Sequence, residues 1–201
     1  MNYSYLALGD SYTIGEQVLL SESFPYQTVQ LLRKKNLSFF APEIIAKTGW
    51  TTDELQSEID SKSFLDKYDF VSLLIGVNNQ YRGRNLEEYK LQFAQLLQKA
   101  IGFTSNNVKH VFVLSIPDWS ITPFAKDKEI EKIATEIDLY NNACKEISEA
   151  KGCQFIEITA QQKIESNDPK MIAEDNLHPS ALEYAKWAKK LSDAIIARCS
   201  V

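Results

Sequence analysis

Short apolar runs alternate with longer amphipathic segments along the chain. The runs predict strands at residues 5–8, within 39–46 with an interruption near Pro42, and at 69–75, 108–116 and 153–158. Helical spacing of apolar positions predicts helices at 24–36, 51 or 52 to 61, 86–101, 127–151 and 180–197. Strands that alternate with helices in this way predict an α/β fold, in which helices cover both faces of a five-stranded parallel sheet.

The composition is that of an ordinary globular protein, with 44% hydrophobic and 24% charged residues among 201. We find no internal repeat or flexible linker, so the sequence predicts a single domain over residues 1–201. A chain of this length can bury a full core without disulfides or metals. Cys144, Cys153 and Cys199 lack metal-ligand spacing, and we interpret them as reduced thiols of a cytoplasmic protein.

The charge distribution disfavours several partners. The net charge is -5 with a pI of about 5.2, and there is no basic run, so nucleic acid is not an expected partner. The N-terminus lacks the basic and apolar regions of a secretion signal. No apolar stretch approaches the roughly 20 residues that span a bilayer. We therefore expect a small-molecule substrate and no membrane partner; the oligomeric state is open.

Chemically useful residues follow four of the predicted strands. They are Gly-Asp-Ser at 9–11, Ala-Lys-Thr-Gly-Trp at 46–50, Gly-Val-Asn-Asn at 76–79 and Ser-Ile-Pro-Asp at 115–118. Sites in open parallel sheets lie beyond the carboxyl ends of the strands. We therefore expect these four groups to converge on one edge of the sheet.

The chain has two histidines, and their positions predict different roles. His110 lies early in the fourth predicted strand, which favours a structural role. His178 precedes the last predicted helix, and Asp175 lies three residues before it, a spacing that puts both side chains on one side of a turn. A carboxylate there can orient the imidazole. Together with Ser11 at a strand end, these residues are the parts of a hydrolase triad.

At this point the sequence resembles the GDSL-type (SGNH) hydrolases and esterases, which include lysophospholipase-like esterases. The resemblance rests on four blocks in the family's order, spread over most of the chain: Gly9-Asp10-Ser11, Gly49, Gly76-Val77-Asn78-Asn79, and Asp175-Asn176-Leu177-His178-Pro179. It implies a flavodoxin-like three-layer α/β/α sandwich. It also implies an ester-hydrolysing activity that needs no cofactor and no metal.

The resemblance assigns a role to each matching residue. Ser11 matches the nucleophile, and His178 and Asp175 match the histidine and aspartate of the triad. The backbone N–H groups of Ser11 and Gly49 and the side-chain amide of Asn78 match the oxyanion hole. The implied reaction is acyl transfer to Ser11 followed by hydrolysis.

Two positions depart from the family pattern. Tyr12 stands where a leucine is usual after Gly-Asp-Ser, and Asn79 stands where an aspartate is usual. Since an asparagine still donates and accepts hydrogen bonds, we expect Asn79 to brace the loop without a charge. We expect the two changes to affect which substrate is bound more than they affect the reaction itself.

The pocket and the substrate are less well defined by the sequence. We expect Tyr12, Trp50, Trp119 and Phe124 to line the pocket, although loop aromatics more often cover a core. Arg82 and Arg84 follow Asn78 closely. They could contact an anionic substrate, but we expect them to lie in a solvated loop. Ser115 and Asp10 are interpreted as structural.

The absence of a large insertion favours a short acyl group, such as acetyl. A carbohydrate O-deacetylase and a lysophospholipase or thioesterase are alternatives within the same chemistry. An inactive protein that binds an acylated ligand is an alternative from another class. A metal-dependent phosphoesterase that uses Asp10, Asp175 and His178 as ligands is a further one, but it needs more ligands than the strand ends supply.

Overall fold

The computed structural model describes residues 2–165 and 168–199. Its strands form a parallel sheet in the order β2-β1-β3-β4-β5. The strands are β1 (Tyr5–Asp10), β2 (Glu43–Lys47), β3 (Phe70–Leu74), β4 (Val111–Leu114) and β5 (Gln154–Ile156). The predicted five-stranded parallel sheet is therefore confirmed.

Helices cover both faces of this sheet. They are α1 (Ser11–Ile14), α2 (Phe24–Lys34), α3 (Thr52–Ser61), α4 (Val77–Tyr81), α5 (Leu86–Phe103), α6 (Ile130–Ala150), α7 (Thr159–Ile164) and α8 (Ala181–Cys199). Helices α2 and α8 pack against each other, while α5 packs against both α3 and α6. The chain thus has the predicted three-layer α/β/α architecture.

The central strands are buried along their whole length. Every residue of β1, β3 and β4 is buried, because helices shield both faces of the sheet. This burial explains why these strands read as continuous apolar runs rather than as alternating patterns. The edge strands β2 and β5 are only partly buried, and their sequences are correspondingly more polar.

Several predicted boundaries were wrong at strand ends. Strand β2 runs from Glu43 to Lys47 and so starts just after the predicted interruption near Pro42, while Phe39, before it, makes an isolated bridge with Tyr3. Strand β4 covers 111–114, because 108–110 forms a 3₁₀ turn. His110 therefore lies before the strand, where its Nδ1 is 2.8 Å from the carbonyl oxygen of Asp69. This contact agrees with the structural role predicted for His110.

The sequence pattern did not reveal α1, α4 and α7. Each has six residues or fewer, which is too short to show a helical period. The long helices were predicted with errors of a few residues at their ends; α6, for example, starts at Ile130 rather than at 127. Helices α1 and α4 matter most, because each begins within a few residues of the end of a buried strand.

The strand order determines where a site can form. Strand β1 lies between β2 and β3, so the connections that leave β1 and β3 run to opposite sides. Such a switch point opens a crevice beyond the carboxyl ends of the two strands. Helix α1 follows β1 and α4 follows β3, so both flank this crevice. No helix within the described residues is long and apolar enough to cross a membrane.

Candidate active site

Ser11 is the first residue of α1 and directly follows β1. The Asp10 side chain caps this helix, since its Oδ1 accepts a hydrogen bond from the backbone N–H of Tyr12 at 3.0 Å. The turn is tight: a Cβ at Gly9 would collide with the Leu74 carbonyl oxygen and the Thr13 side chain. The strand-to-helix turn therefore presents Ser11 at the carboxyl edge of the sheet.

The structure brings Ser11, His178 and Asp175 into one chain of contacts. The Nε2 atom of His178 lies 2.9 Å from Ser11 Oγ, across 167 residues of sequence. On the other side of the ring, Nδ1 lies 2.5 Å from Asp175 Oδ2. Ser11 and His178 are 4% and 7% exposed, so the contacts between them are largely shielded from water.

The Asp175 carboxylate also organises the turn that carries His178. Its Oδ1 accepts hydrogen bonds from the backbone N–H groups of Leu177, at 3.0 Å, and His178, at 2.9 Å. Burial raises the pKa of Asp175, but the hydrogen bonds from His178 and Leu177 outweigh it and hold the pKa below its usual range. An ionised Asp175 only accepts hydrogen bonds, so Nδ1 of His178 carries a proton. In the neutral imidazole, Nε2 is then free to accept the Ser11 proton.

Tyr12 covers the imidazole. Its ring centroid lies 5.0 Å from that of His178, and the side chain is buried between His178 and Trp187. The departure from leucine thus places a larger aromatic ring against the histidine.

Gly49 and Asn78 lie beside the same cavity as Ser11. Gly49 follows β2 with a φ of 83°, a conformation that favours glycine. Asn78 lies in α4, and its Nδ2 donates to the Trp50 carbonyl oxygen at 3.1 Å and lies 3.4 Å from Asp10 Oδ2. Ser11, Gly49 and Asn78 line the same cavity, which is the arrangement expected of the proposed oxyanion donors.

Asn79 braces this region as predicted. Its Oδ1 accepts from the backbone N–H of Thr52 at 3.1 Å, and its Nδ2 donates to Thr52 Oγ1 at 2.7 Å. Both residues are buried. The amide therefore connects α4 to the start of α3 with two neutral hydrogen bonds.

The cavity beside Ser11 has a volume of about 190 Å³. Its aromatic wall contains three of the predicted pocket residues, Tyr12, Trp119 and Phe124, together with Tyr81. Trp50 does not line this cavity; its side chain is half-buried and packs against the core. Its backbone rather than its side chain faces the site, since the Trp50 carbonyl oxygen accepts from Asn78 Nδ2 at 3.1 Å.

Further contacts fix the aromatic wall. Trp119 is buried, and its Nε1 donates to the Gln80 side chain at 2.7 Å. Tyr81 and Phe124 pack around Trp119 with ring centroids 5.3 and 6.0 Å away and are 53% and 38% exposed. The wall therefore combines one fixed ring with two that solvent reaches.

Two other predictions concern residues near the site. Arg82 donates to the Gly49 carbonyl oxygen, and Arg84 pairs with Asp53 and Glu88, so both arginines are engaged by protein groups. Ser115 Oγ accepts from the backbone N–H of Ile158 at 2.8 Å, which supports the β5–α7 connection in keeping with its predicted structural role.

A metal site receives no support from the geometry. Within residues 2–165 and 168–199, no three His, Cys, Asp or Glu residues are grouped to hold an ion. Asp175 is engaged by His178 and by two backbone N–H groups, and Asp10 by Tyr12. These two carboxylates cap turns, so the donor set of a phosphoesterase is not assembled.

Asp10 has an unusual environment that the sequence does not indicate. The side chain is completely buried. Burial raises its pKa to about 7, although the Tyr12 N–H, its own backbone N–H and the Asn78 amide oppose the shift. A carboxyl group that titrates near neutrality therefore lies directly beside Ser11.

The sheet order and the site at its switch point are those of an α/β/α hydrolase. The sequence profile of the GDSL-like lipase/acylhydrolase family matches residues 7–186. The chain belongs to this family, and it is accordingly an ester-hydrolysing enzyme. No curated protein matches its sequence.

Solved structures with the same fold cover nearly the whole chain. The acetylxylan esterase Axe2 from Geobacillus stearothermophilus is 20% identical with a TM-score of 0.75, over 96% of this chain and 94% of that one. A lipase/acylhydrolase from Enterococcus faecalis is 18% identical with a TM-score of 0.75, over 98% and 97%. A G-D-S-L family lipolytic protein from Veillonella parvula is 13% identical with a TM-score of 0.74, over 94% and 96%. At these identities the similarity establishes the fold.

Proposed function

We propose that this enzyme is a serine esterase that hydrolyses short acyl esters, such as acetyl esters. The observation that carries the proposal is the contact chain from Ser11 Oγ to His178 Nε2, 2.9 Å, and from His178 Nδ1 to Asp175 Oδ2, 2.5 Å. This is the spacing that a nucleophile, a general base and an orienting carboxylate require.

In the acylation step, Ser11 Oγ attacks the ester carbonyl carbon while its proton passes to His178 Nε2. The carbonyl oxygen becomes an oxyanion in the tetrahedral intermediate. As the intermediate collapses, the bond to the alcohol oxygen breaks, and Nε2 returns the proton to the leaving alcohol. Asp175 keeps the imidazole in position and stabilises its charged form throughout.

The oxyanion is stabilised by the N–H groups of Ser11 and Gly49 and by the Asn78 amide. In the structure, Asn78 Nδ2 is 3.4 Å from Asp10 Oδ2, which is a long hydrogen bond. When negative charge develops on the carbonyl oxygen, the Asn78 amide can give up this contact and donate to the oxyanion instead. Water then attacks the acyl carbonyl carbon while His178 Nε2 takes one of its protons. As this second intermediate collapses, the bond to Ser11 Oγ breaks, Nε2 returns the proton to Oγ, and the acid is released.

The small cavity supports a short acyl group. A volume of about 190 Å³ lies below the roughly 300–1,000 Å³ of sites for drug-sized ligands. One fold relative carries the name acetylxylan esterase, which agrees with an acetyl substrate. A carbohydrate O-deacetylase is a narrower form of the same proposal. A lysophospholipase or thioesterase is the alternative, and a preference for longer acyl chains or thioesters in a substrate assay would favour it.

The first experiment measures hydrolysis of p-nitrophenyl esters from acetate to decanoate by the wild type and by Ser11→Ala. We expect activity to be highest on the shortest esters and to vanish in Ser11→Ala. Ser57→Ala, on the exposed face of α3, is the matched control and keeps full activity. Equal activity of the wild type and Ser11→Ala would overturn the assigned nucleophile.

A folded wild type without activity on any ester would instead favour the acyl-ligand binding protein. The proposal includes no cofactor and no metal, so a chelator leaves activity unchanged. We further propose a cytoplasmic location, which agrees with three unpaired cysteines.

A further inference from the structure

We propose that Arg82 is a positioning residue for the oxyanion hole, because it fixes the loop that carries Gly49. This inference rests on the proposed function. The loop in question, residues 48–51, connects β2 to α3 and is called the oxyanion loop below. Nothing in the reaction itself requires an arginine at this site.

Two neighbouring carbonyl groups of the oxyanion loop are bound from the α4 side. Arg82 Nη2 donates to the Gly49 carbonyl oxygen at 2.6 Å, and Asn78 Nδ2 donates to the Trp50 carbonyl oxygen at 3.1 Å. Asn78 lies in α4, and Arg82 directly follows its last residue as the C-cap. One short helix thus carries a proposed oxyanion donor and also holds the loop that carries another.

The guanidinium is itself held at a second point. Arg82 Nη1 lies 3.3 Å from the Glu54 carboxylate, and Glu54 Oε2 accepts from the backbone N–H of Thr51 at 2.9 Å. The planar fork of an arginine can make both contacts at once. Arg82 therefore contacts the oxyanion loop directly at Gly49 and indirectly, through Glu54, at Thr51.

The loop needs such a restraint because of its glycine. Gly49 has a φ of 83° and no side chain to limit its backbone, and a Cβ there would meet nothing closer than Arg82 Nη2 at 3.5 Å. An oxyanion hole works only if its donors are already in place when charge develops. Loss of the Arg82 contact removes one restraint on the Gly49 backbone, while the bonds at Trp50 remain, so the Gly49 N–H is held less firmly toward the oxyanion.

Arg84 is a suitable comparison. It is an arginine on the same surface, and it pairs with Asp53 at 3.6 Å and with Glu88 at 3.7 Å. Arg84→Ala therefore removes one positive charge near the site without removing a bond to the Gly49 carbonyl group. Any general effect of charge on substrate binding appears in both variants, and so does an effect passed to Thr51 through an acidic neighbour, since Asp53 accepts from Thr51 Oγ1 at 2.5 Å. Only Arg82→Ala loses the direct bond to the Gly49 carbonyl oxygen.

The test measures kcat and KM on p-nitrophenyl acetate for the wild type, Arg82→Ala, Arg82→Lys and Arg84→Ala. We expect Arg82→Ala to lower kcat roughly 10- to 100-fold, less than removal of a donor costs, with KM nearly unchanged. Arg82→Lys restores part of kcat, since an ammonium can reach the carbonyl oxygen but lacks the fork. Arg84→Ala stays within about twofold of the wild type.

A second readout separates positioning from a loss of folding. Phenylboronic acid forms an anionic tetrahedral adduct with a nucleophilic serine, so its inhibition constant reports on the oxyanion hole. We expect this constant to rise in Arg82→Ala by about the same factor as kcat/KM falls. The melting temperature identifies a variant that fails to fold, and Arg82→Lys then supplies the comparison.

Three results would overturn the inference: equal kcat in Arg82→Ala and Arg84→Ala, a rise in KM without a fall in kcat, or unchanged inhibition by the boronic acid. The second result would indicate that Arg82 binds substrate. A failure of the proposed function is recognised separately, because the wild type would then be inactive on every ester or Ser11→Ala would retain the wild-type rate.

Discussion

Asp175 binds His178 at two points, through Oδ2 to the ring Nδ1 at 2.5 Å and through Oδ1 to the backbone N–H at 2.9 Å. The same carboxylate therefore fixes both the position of the turn and the tautomer of the ring. A three-residue separation is what allows this, since the side chain reaches forward across one turn. The arrangement explains why the aspartate and the histidine lie so close in sequence.

Asp175→Asn tests whether the tautomer matters for catalysis. The Asn side chain can still accept from the two backbone N–H groups with its oxygen, but its NH₂ group now faces Nδ1 of His178. The ring then carries its proton on Nε2, which cannot accept the proton of Ser11. We expect kcat on p-nitrophenyl acetate to fall by about 10⁴ while the melting temperature changes little.

Asp168→Asn is the control, because Asp168 caps a turn outside the site by accepting from the Lys170 N–H at 3.0 Å. It keeps the wild-type rate. A comparable rate in Asp175→Asn and the wild type would contradict the orienting role.

Asn79→Asp tests whether the brace at the start of α3 works without a charge. An aspartate can still accept from the Thr52 N–H, and the Thr52 hydroxyl, which donates to the Gln92 side chain, can turn to donate to the aspartate instead. We expect the activity to stay within about threefold of the wild type. Asn79→Leu loses both bonds and leaves Thr52 N–H buried without its acceptor, which costs about 1–3 kcal/mol of stability. Chemical denaturation of both variants measures this difference in stability. Equal stabilities would contradict the prediction.

The sequence predicts the sheet and the parts of the site for physical reasons. Burial on both faces makes β1, β3 and β4 continuously apolar, and parallel strands bring residues that follow them to one edge. Ser11 and Asn78 could therefore be placed near each other from the pattern alone. The contact of Ser11 with His178 followed only from the family resemblance, because the two residues are 167 positions apart.

Other features depend on packing that no local pattern encodes. The bond from Arg82 to Gly49 requires α4 to lie beside the oxyanion loop, and α4 is too short to be recognised in the sequence. The burial of Asp10 likewise follows from the tight turn at Gly9 and from the helices above the sheet. Trp50 follows a predicted strand, but its side chain packs against the core and only its carbonyl oxygen meets Asn78, which no local pattern indicates.

Gly76→Ala tests the link between β3 and α4. Gly76 has a φ of 137°, and a Cβ there would lie 2.8 Å from the Tyr89 hydroxyl oxygen. The buried Tyr89 ring cannot move aside freely, so we expect a loss of more than about 2 kcal/mol of stability together with lower activity, since α4 shifts.

Gly102→Ala is the matched control in α5, where a Cβ would meet nothing within 4 Å. It is expected to raise stability by about 0.5–1 kcal/mol, because alanine favours the helix. Thermal unfolding of the two variants measures the contrast, and similar melting temperatures would contradict it.

Phe124→Ala tests the acyl side of the cavity. Phe124 packs against Trp119 and is fixed through its backbone, since its N–H donates to the Asn176 carbonyl oxygen at 3.0 Å. Removal of the ring enlarges the cavity, so we expect the kcat/KM ratio of butyrate to acetate esters to rise about tenfold. Phe40→Ala, exposed and not among the residues lining the cavity, leaves the ratio unchanged. A changed preference for the alcohol alone would place Phe124 on the leaving-group side.

The buried Asp10 predicts a particular dependence of stability on pH. Its pKa is about 7 in the folded protein and about 3.8 in the unfolded chain. Between these values the folded state binds more protons than the unfolded state, so the free energy of unfolding falls as the pH rises. This contribution is greatest below about pH 4, decreases through the window up to about pH 7, and is constant above it.

Asp10→Asn removes this titration while it keeps the cap on α1, because the amide oxygen still accepts from the Tyr12 N–H. We expect the stability of the variant relative to the wild type to increase from pH 4.5 to pH 7, by at most about 1.4 kcal/mol per pH unit. Urea denaturation of both proteins at several pH values measures the difference. Asp193→Asn, on the exposed surface of α8, shows no such trend. A difference between Asp10→Asn and the wild type that does not change with pH would mean that Asp10 is ionised over the whole range, and that contacts with Tyr12 and Asn78 compensate its burial.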